Sequence, residues 1–129
     1  MTNSKKTVVA VLNDLMFTVK IQEAAKRAGL NVVFVKSQEA ALERAKENPA
    51  VIILDLNTSS VEPLDVIAQL KSDEQTSKIS LLGYVSHVQG DLKLAAQQKG
   101  CDTVMARSAF SQNLPTILRR YADGRASVA

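Results

Sequence analysis

Residues 50–56 read Ala50-Val51-Ile52-Ile53-Leu54-Asp55-Leu56. An uninterrupted apolar run rich in β-branched side chains makes a strand covered on both faces, because a half-exposed strand would alternate apolar with polar residues. Asp55 then interrupts the run with a carboxylate that local propensity would not select, and such a violation is a functional lead. A strand buried on both faces belongs in a parallel sheet, so the chain on either side of it should supply crossover helices.

Upstream, Thr7 to Leu12 (TVVAVL) is a second apolar, β-branched run and reads as another buried parallel strand. From Leu15 to Ala28 the spacing turns helical, with Val19, Ala24, Ala25 and Ala28 able to share a face and Gly29 placed to end the helix. Asn31 to Val35 (NVVFV) is a strand; Ser37 can cap the helix that follows, where Ala41, Leu42 and Ala45 are apolar, and Asn48-Pro49 stops it. Downstream, a loop over Asn57 to Glu62 leads through Pro63 into a third helix carrying Leu64, Ile67, Ala68 and Leu70. Ile79 to Val85 (ISLLGYV) is a fourth strand, Asp91 to Lys99 a fourth helix closed by Gly100, Thr103 to Met105 a short fifth strand, and Leu114 to Tyr121 a last helix. The expected fold class is therefore α/β: a single domain over residues 6–121 with a doubly wound, five-stranded parallel sheet, and residues 122–129 as a flexible tail. The flavodoxin-like strand order 2-1-3-4-5 is the expected topology, and it places ligands at the C-terminal ends of the first and third strands.

Composition closes off several function classes. The 129 residues suit one core, and 46% hydrophobic with 22% charged residues is ordinary globular usage. No apolar run is long enough to span a membrane, and the start of the chain lacks the apolar segment of a signal peptide, so a cytoplasmic location without membrane attachment is expected. One cysteine, Cys101, and one histidine, His87, leave no basis for a disulfide, a zinc site or a catalytic triad. The net charge of +3 is scattered, and two Tyr and three Phe without Trp offer no base-stacking surface, so no nucleic-acid partner is expected. Cys101 reads as a small semi-buried residue.

The positions to inspect are those after the strands: Asn13 and Asp14, Asp55, Val85 and Ser86, and Arg107. In this arrangement the chain resembles the receiver domain of bacterial response regulators, over Lys6 to Tyr121, and most closely from Asp55 through the fifth strand, where the pattern runs without gaps. The resemblance gives Asp55 the phosphoacceptor place, a carboxylate that attacks a phosphoryl group while Mg²⁺ neutralises charge. The acidic pair that helps hold the metal in that family maps onto Leu12 and Asn13, or onto Asn13 and Asp14, so one acid at most remains. Asp14, Asp55 and the main-chain carbonyl of Asn57 form the implied Mg²⁺ site, weak or absent. Asp14 reads equally as the cap of the first helix.

The resemblance also brings out departures. The phosphate-site hydroxyl falls on Val85, with Ser86 adjacent; the lysine falls on Arg107, followed by Ser108 in place of a proline; the aromatic switch position is Val104. Arg107 could bind an anion or pair with Asp55, or stand as a solvated loop arginine. Ser86 and Ser108 read as loop or capping residues. The pattern resembles an atypical, or pseudo-, receiver: not an enzyme, but a module of two-component phosphorelay signalling that acts through a protein partner. The implied partner face is that of the fourth helix, fifth strand and fifth helix. A working phosphoacceptor, phosphorylated on Asp55 by a histidine kinase, is the alternative. A flavodoxin-type redox or nucleotide-binding protein on the same fold is a third reading, against which stand the turn Asn13 to Thr18, without a glycine-rich or hydroxyl-rich phosphate loop, and the lack of Trp.

Overall fold

The computed structural model describes residues 6–86 and 90–124. Ten elements alternate along the chain: β1 (Thr7–Val11), α1 (Leu15–Ala28), β2 (Asn31–Val35), α2 (Gln38–Ala45), β3 (Val51–Asp55), α3 (Pro63–Ser72), β4 (Ser80–Val85), α4 (Gly90–Lys99), β5 (Thr103–Ala106) and α5 (Arg107–Ala122). The strands form one sheet in the order β2-β1-β3-β4-β5, every pair parallel. This is the expected topology, and β3 lies at its centre because it is the strand with no polar residue before its last position.

Alternation along each strand divides the core into two layers. Val9, Val11, Ile52, Leu54 and Leu81 pack with α2, α3 and α4 through Ala41, Ala45, Val66, Ile67, Leu70 and Ala96. Val8, Ala10, Ile53, Leu82 and Tyr84 pack with α1 and α5 through Phe17, Ile21, Ala25, Phe110, Leu114 and Leu118. Both faces of the sheet are thereby covered, which is why its strands are continuously apolar rather than alternating.

Local signals set most of the boundaries. Gly29 ends α1 in the left-handed conformation at φ 75°, with its own amide on the Lys26 carbonyl and that of Leu30 on the Ala25 carbonyl. Ser37 caps α2 through the Ala40 amide. Gly83, in mid-strand, has a different reason: a Cβ there would lie 3.0 Å from Leu56 Cδ1 and 3.3 Å from Cys101 Sγ. The missing side chain lets Leu56 fold back over β4 and draws the segment after Asp55 onto the sheet.

Two readings are corrected: Val19 is half exposed, the buried face of α1 being Phe17, Ile21, Ala24 and Ala25, and the last helix is longer than expected. The last helix begins at Arg107 rather than at Leu114, because Phe110, Leu114, Ile117, Leu118 and Tyr121 form one buried stripe at helical spacing. Pro115 lies within this helix and forfeits one backbone hydrogen bond, a cost of about 3 kcal/mol that the burial of the stripe offsets. α5 ends at Ala122. The expected tail falls mainly on residues 125–129, which lie outside the described residues, as does His87.

Candidate functional site

The C-terminal ends of β1, β3, β4 and β5 meet in one cleft, and Asp55 stands at its centre as the last residue of β3. The Asp55 carboxylate accepts the Asn57 amide at Oδ1 (2.9 Å), and its main-chain carbonyl accepts the Thr58 amide (3.1 Å). Removal from water raises the pKa of Asp55 above the usual carboxylate value. The Asn57 amide and the nearby Arg107 charge oppose that rise, and the Asp14 charge adds to it.

Asn57 does more than complete the turn. Its Oδ1 accepts the Ser86 amide at 2.7 Å, while the Leu56 amide donates to the Tyr84 carbonyl at 3.0 Å. These two bonds tie the segment after β3 to the end of β4. Val85 itself is buried among the residues facing α3 and α4, and contributes no hydroxyl to the cleft; Ser86, beside it, is half-buried. Val104, at the position of the switch aromatic, is likewise buried in that layer and has no ring to reorient.

On the β1 side, Leu12 is buried in the opposite core layer and Asn13 is exposed, so Asp14 is the acid that reaches the cleft. Asp14 caps α1: its Oδ1 accepts the amides of Met16 (2.9 Å) and Phe17 (3.3 Å), and its carbonyl accepts the Thr18 hydroxyl (2.9 Å). Its other oxygen, Oδ2, receives Arg107 Nη2 at 2.5 Å. Of the readings open for Arg107, an ion pair is the one found, but its partner is Asp14 rather than Asp55. Arg107 is ion-paired with Asp14 and acts on Asp55 through space. The Arg107 guanidinium also lies over the Phe17 ring, 4.6 Å from its centroid.

Beneath this pair is an aromatic cluster that the sequence reading did not connect to the site. Tyr84 and Phe110 stack at 4.6 Å between centroids, Phe17 and Tyr84 at 5.1 Å, and Phe17 and Phe110 at 6.0 Å. The buried Tyr84 hydroxyl has no hydrogen-bond partner among the described residues, and burial together with the Asp55 and Asp14 charges pushes its pKa far up. A phenol one residue before the end of an otherwise apolar strand, and a Phe three residues after a capping Asp, were the signals available for this cluster.

The fit to a divalent metal ion can be judged from the donors present. No group of three or more His, Cys, Asp or Glu side chains gathers among the described residues, and the two acids of the cleft are already engaged. Both Asp14 oxygens carry hydrogen bonds and one carries a cation; one Asp55 oxygen is held by Asn57. The set is a poor cradle for an ion that requires near-octahedral oxygen coordination.

The double use of Asp14 has a measurable consequence. Asp14→Ala removes the cap and leaves a half-buried guanidinium unpaired, an expected loss of about 2 kcal/mol in urea unfolding. Asp14→Asn keeps a capping oxygen and loses only the ion pair, so about 1 kcal/mol is expected. Equal losses for the two variants would show that the ion pair, not the cap, dominates.

For Asp55 the sign is the reverse of an ordinary paired carboxylate. A folded-state value above the unfolded one means that the native protein binds more protons than the unfolded chain between the two values, so stability falls as pH rises through that window. Asp55→Asn is therefore expected to be more stable than wild type at neutral pH. The difference should close as pH falls through the raised folded value, as urea midpoints at successive pH values would read.

No protein-family model matches the chain, and no curated protein does. Solved structures do. The phosphorylated cyanobacterial phytochrome response regulator RcpA matches with 21% identity over 95% of each chain at a TM-score of 0.75. The receiver domain of sensor histidine kinase PA1611 from Pseudomonas aeruginosa PAO1, which has a magnesium ion coordinated in its active-site cleft, matches with 17% identity over 91% of this chain and 97% of that one, at 0.76. The chemotaxis response regulator CheY4 of Vibrio cholerae matches with 18% identity over 89% and 97%, at 0.76. Among the described residues no helix is long and apolar enough to cross a membrane. With five parallel strands in the order 2-1-3-4-5 and an aspartate at the end of the central one, the chain has the fold of a response-regulator receiver domain.

Proposed function

We propose that the chain is a degenerate receiver module of two-component signalling, not an enzyme, which acts in the cytoplasm by binding a protein partner. The observation that carries this reading is the commitment of the cleft's cation. Arg107 is held on Asp14 and on the Phe17 ring, and the neighbouring phosphate-site position is the buried Val85, so the groups that would grip a phosphoryl group at Asp55 are absent or occupied.

Partner binding is supported by the distribution of exposed apolar side chains. The resemblance assigns output to α4, β5 and α5, where Leu94 on α4 is 54% exposed. The rim of the cleft offers more: Leu15, Met16 and Val19, on the first turns of α1, are 79%, 56% and 50% exposed. Single exposed apolar residues are ordinary, but three within five positions beside a polar cleft form a surface suited to protein contact.

The test is incubation with acetyl phosphate and Mg²⁺ followed by intact mass. The proposed reading expects no gain of a phosphoryl group. A stoichiometric gain that disappears in Asp55→Asn would establish instead a working phosphoacceptor.

A further inference from the structure

We propose that the Arg107 guanidinium is the resident cation of the strand-end cleft, and that its seat on Asp14 keeps divalent metal ions off the two carboxylates. This goes beyond the signalling reading and stands without it, since it concerns only which positive charge the cleft holds.

Two half-buried carboxylates, Asp14 and Asp55, stand at the ends of adjacent strands β1 and β3. A cation offsets the repulsion between two like charges so placed. Arg107 does so directly at Asp14, at 2.5 Å, and through space at Asp55. Its position is otherwise unfavourable. As the first residue of α5, it puts a positive charge where the helix dipole prefers a negative one. The side chain is held there by the Asp14 carboxylate and the Phe17 ring, while Phe110, wholly buried three residues on, roots the helix end from which it projects.

The competition with a metal ion is stereochemical. Asp14 Oδ1 serves the first turn of α1, which leaves Oδ2 as the oxygen to offer, and Arg107 occupies it. An ion entering between the carboxylates would have to displace a guanidinium fixed by charge and by ring contact. Once Arg107 is removed, two carboxylates and the surrounding water form the kind of donor set that suffices for Mg²⁺ or Mn²⁺. The sign of the expected change is therefore a gain: deleting a residue should create a metal site.

Mn²⁺ serves as the probe, read by paramagnetic broadening of the backbone amide signals of Asp14, Asp55 and Asn57. Wild type should show no more broadening there than at an exposed surface carboxylate such as Glu23. Arg107→Gln, checked for fold by far-UV circular dichroism, should bind about tenfold more tightly than wild type, the scale set by one partly buried ion pair. Arg107→Gln combined with Asp14→Asn should lose that gain. Arg107→Lys, which keeps the charge, should stay close to wild type. Preferential broadening of the cleft amides in wild type overturns the proposal, and that measurement requires no variant. So does an Arg107→Gln protein that folds and gains no affinity, or a gain that survives the loss of the Asp14 charge. None of these readouts depends on phosphorylation or on a partner, so failure here leaves the signalling reading to its own test.

Discussion

Phe110→Ala is expected to lower the unfolding free energy by about 3–5 kcal/mol, as large aromatic truncations in a closed core do. Phe110 is fully buried, stacks on Tyr84 at 4.6 Å and lies 6.0 Å from Phe17. Removing the ring opens a cavity between α5 and β4 and deletes two aromatic contacts, and the site has little freedom to collapse because Tyr84 and Phe17 are held by their own strand and helix. For a domain whose whole stability is of order 5–15 kcal/mol, the loss is a large share. It also reaches the cleft. Phe110 fixes the first turn of α5, from which Arg107 extends over Phe17 to Asp14. Phe110→Leu fills much of the space and should cost about 1–2 kcal/mol. Urea unfolding with a shared slope measures both; a Phe110→Ala loss below that of Phe110→Leu would mean that the aromatic cluster is not a packed unit.

That cluster also shows where sequence stops being legible. The fold could be read because each strand is an apolar run closed by turn residues, and because Gly29, Ser37, Pro63 and Gly100 punctuate the helices. The position of Asp55 was legible for a similar reason: a single carboxylate inside a buried run has few structural explanations. The partner of Arg107 was not. Asp14 and Asp55 lie at neighbouring strand ends, each with one carboxylate oxygen held by backbone amides, so the choice between them depends on which one the guanidinium meets from its seat over the Phe17 ring. Arg107 lies over the Phe17 ring, and from there it reaches Asp14 Oδ2. Positions follow from periodicity, but rotamers and hydrogen-bond occupancy do not. The start of α5 was hidden by Pro115 and by the polar run Ser111-Gln112-Asn113, which masked the stripe from Phe110 to Tyr121 until the sheet supplied the surface that buries it. In this respect packing overrode a local helix-breaking signal.

At the opposite end of the sheet, Lys71→Met is expected to cost about 2–3 kcal/mol while leaving the cleft untouched. Lys71, in the last turn of α3, donates to the main-chain carbonyls of Ser77 (3.0 Å) and Ile79 (3.1 Å) and to Asp102 Oδ2 (3.0 Å). Asp102 in turn accepts the Leu81 amide at 2.8 Å and donates its own amide to the Leu81 carbonyl at 3.1 Å. One ammonium group therefore joins the end of α3, the entry to β4 and the entry to β5. Methionine preserves the aliphatic stem, which lies so close to Gly100 that a Cβ there would meet Lys71 Cγ at 2.8 Å, so the substitution removes donors rather than volume. Two carbonyls and a carboxylate lose a charged donor together, which makes the loss larger than that of an exposed ion pair. Asp102→Asn keeps an oxygen for the Leu81 amide and should cost about 1 kcal/mol, because the two carbonyl bonds to Lys71 survive. Salt separates the contributions: screening weakens the Lys71–Asp102 attraction but not the requirement of the carbonyls for a donor, so most of the Lys71→Met loss should persist at about 1 M NaCl. A loss that vanishes at that ionic strength would show that Lys71 acts as a surface charge and not as the hydrogen-bonding centre of this end of the sheet.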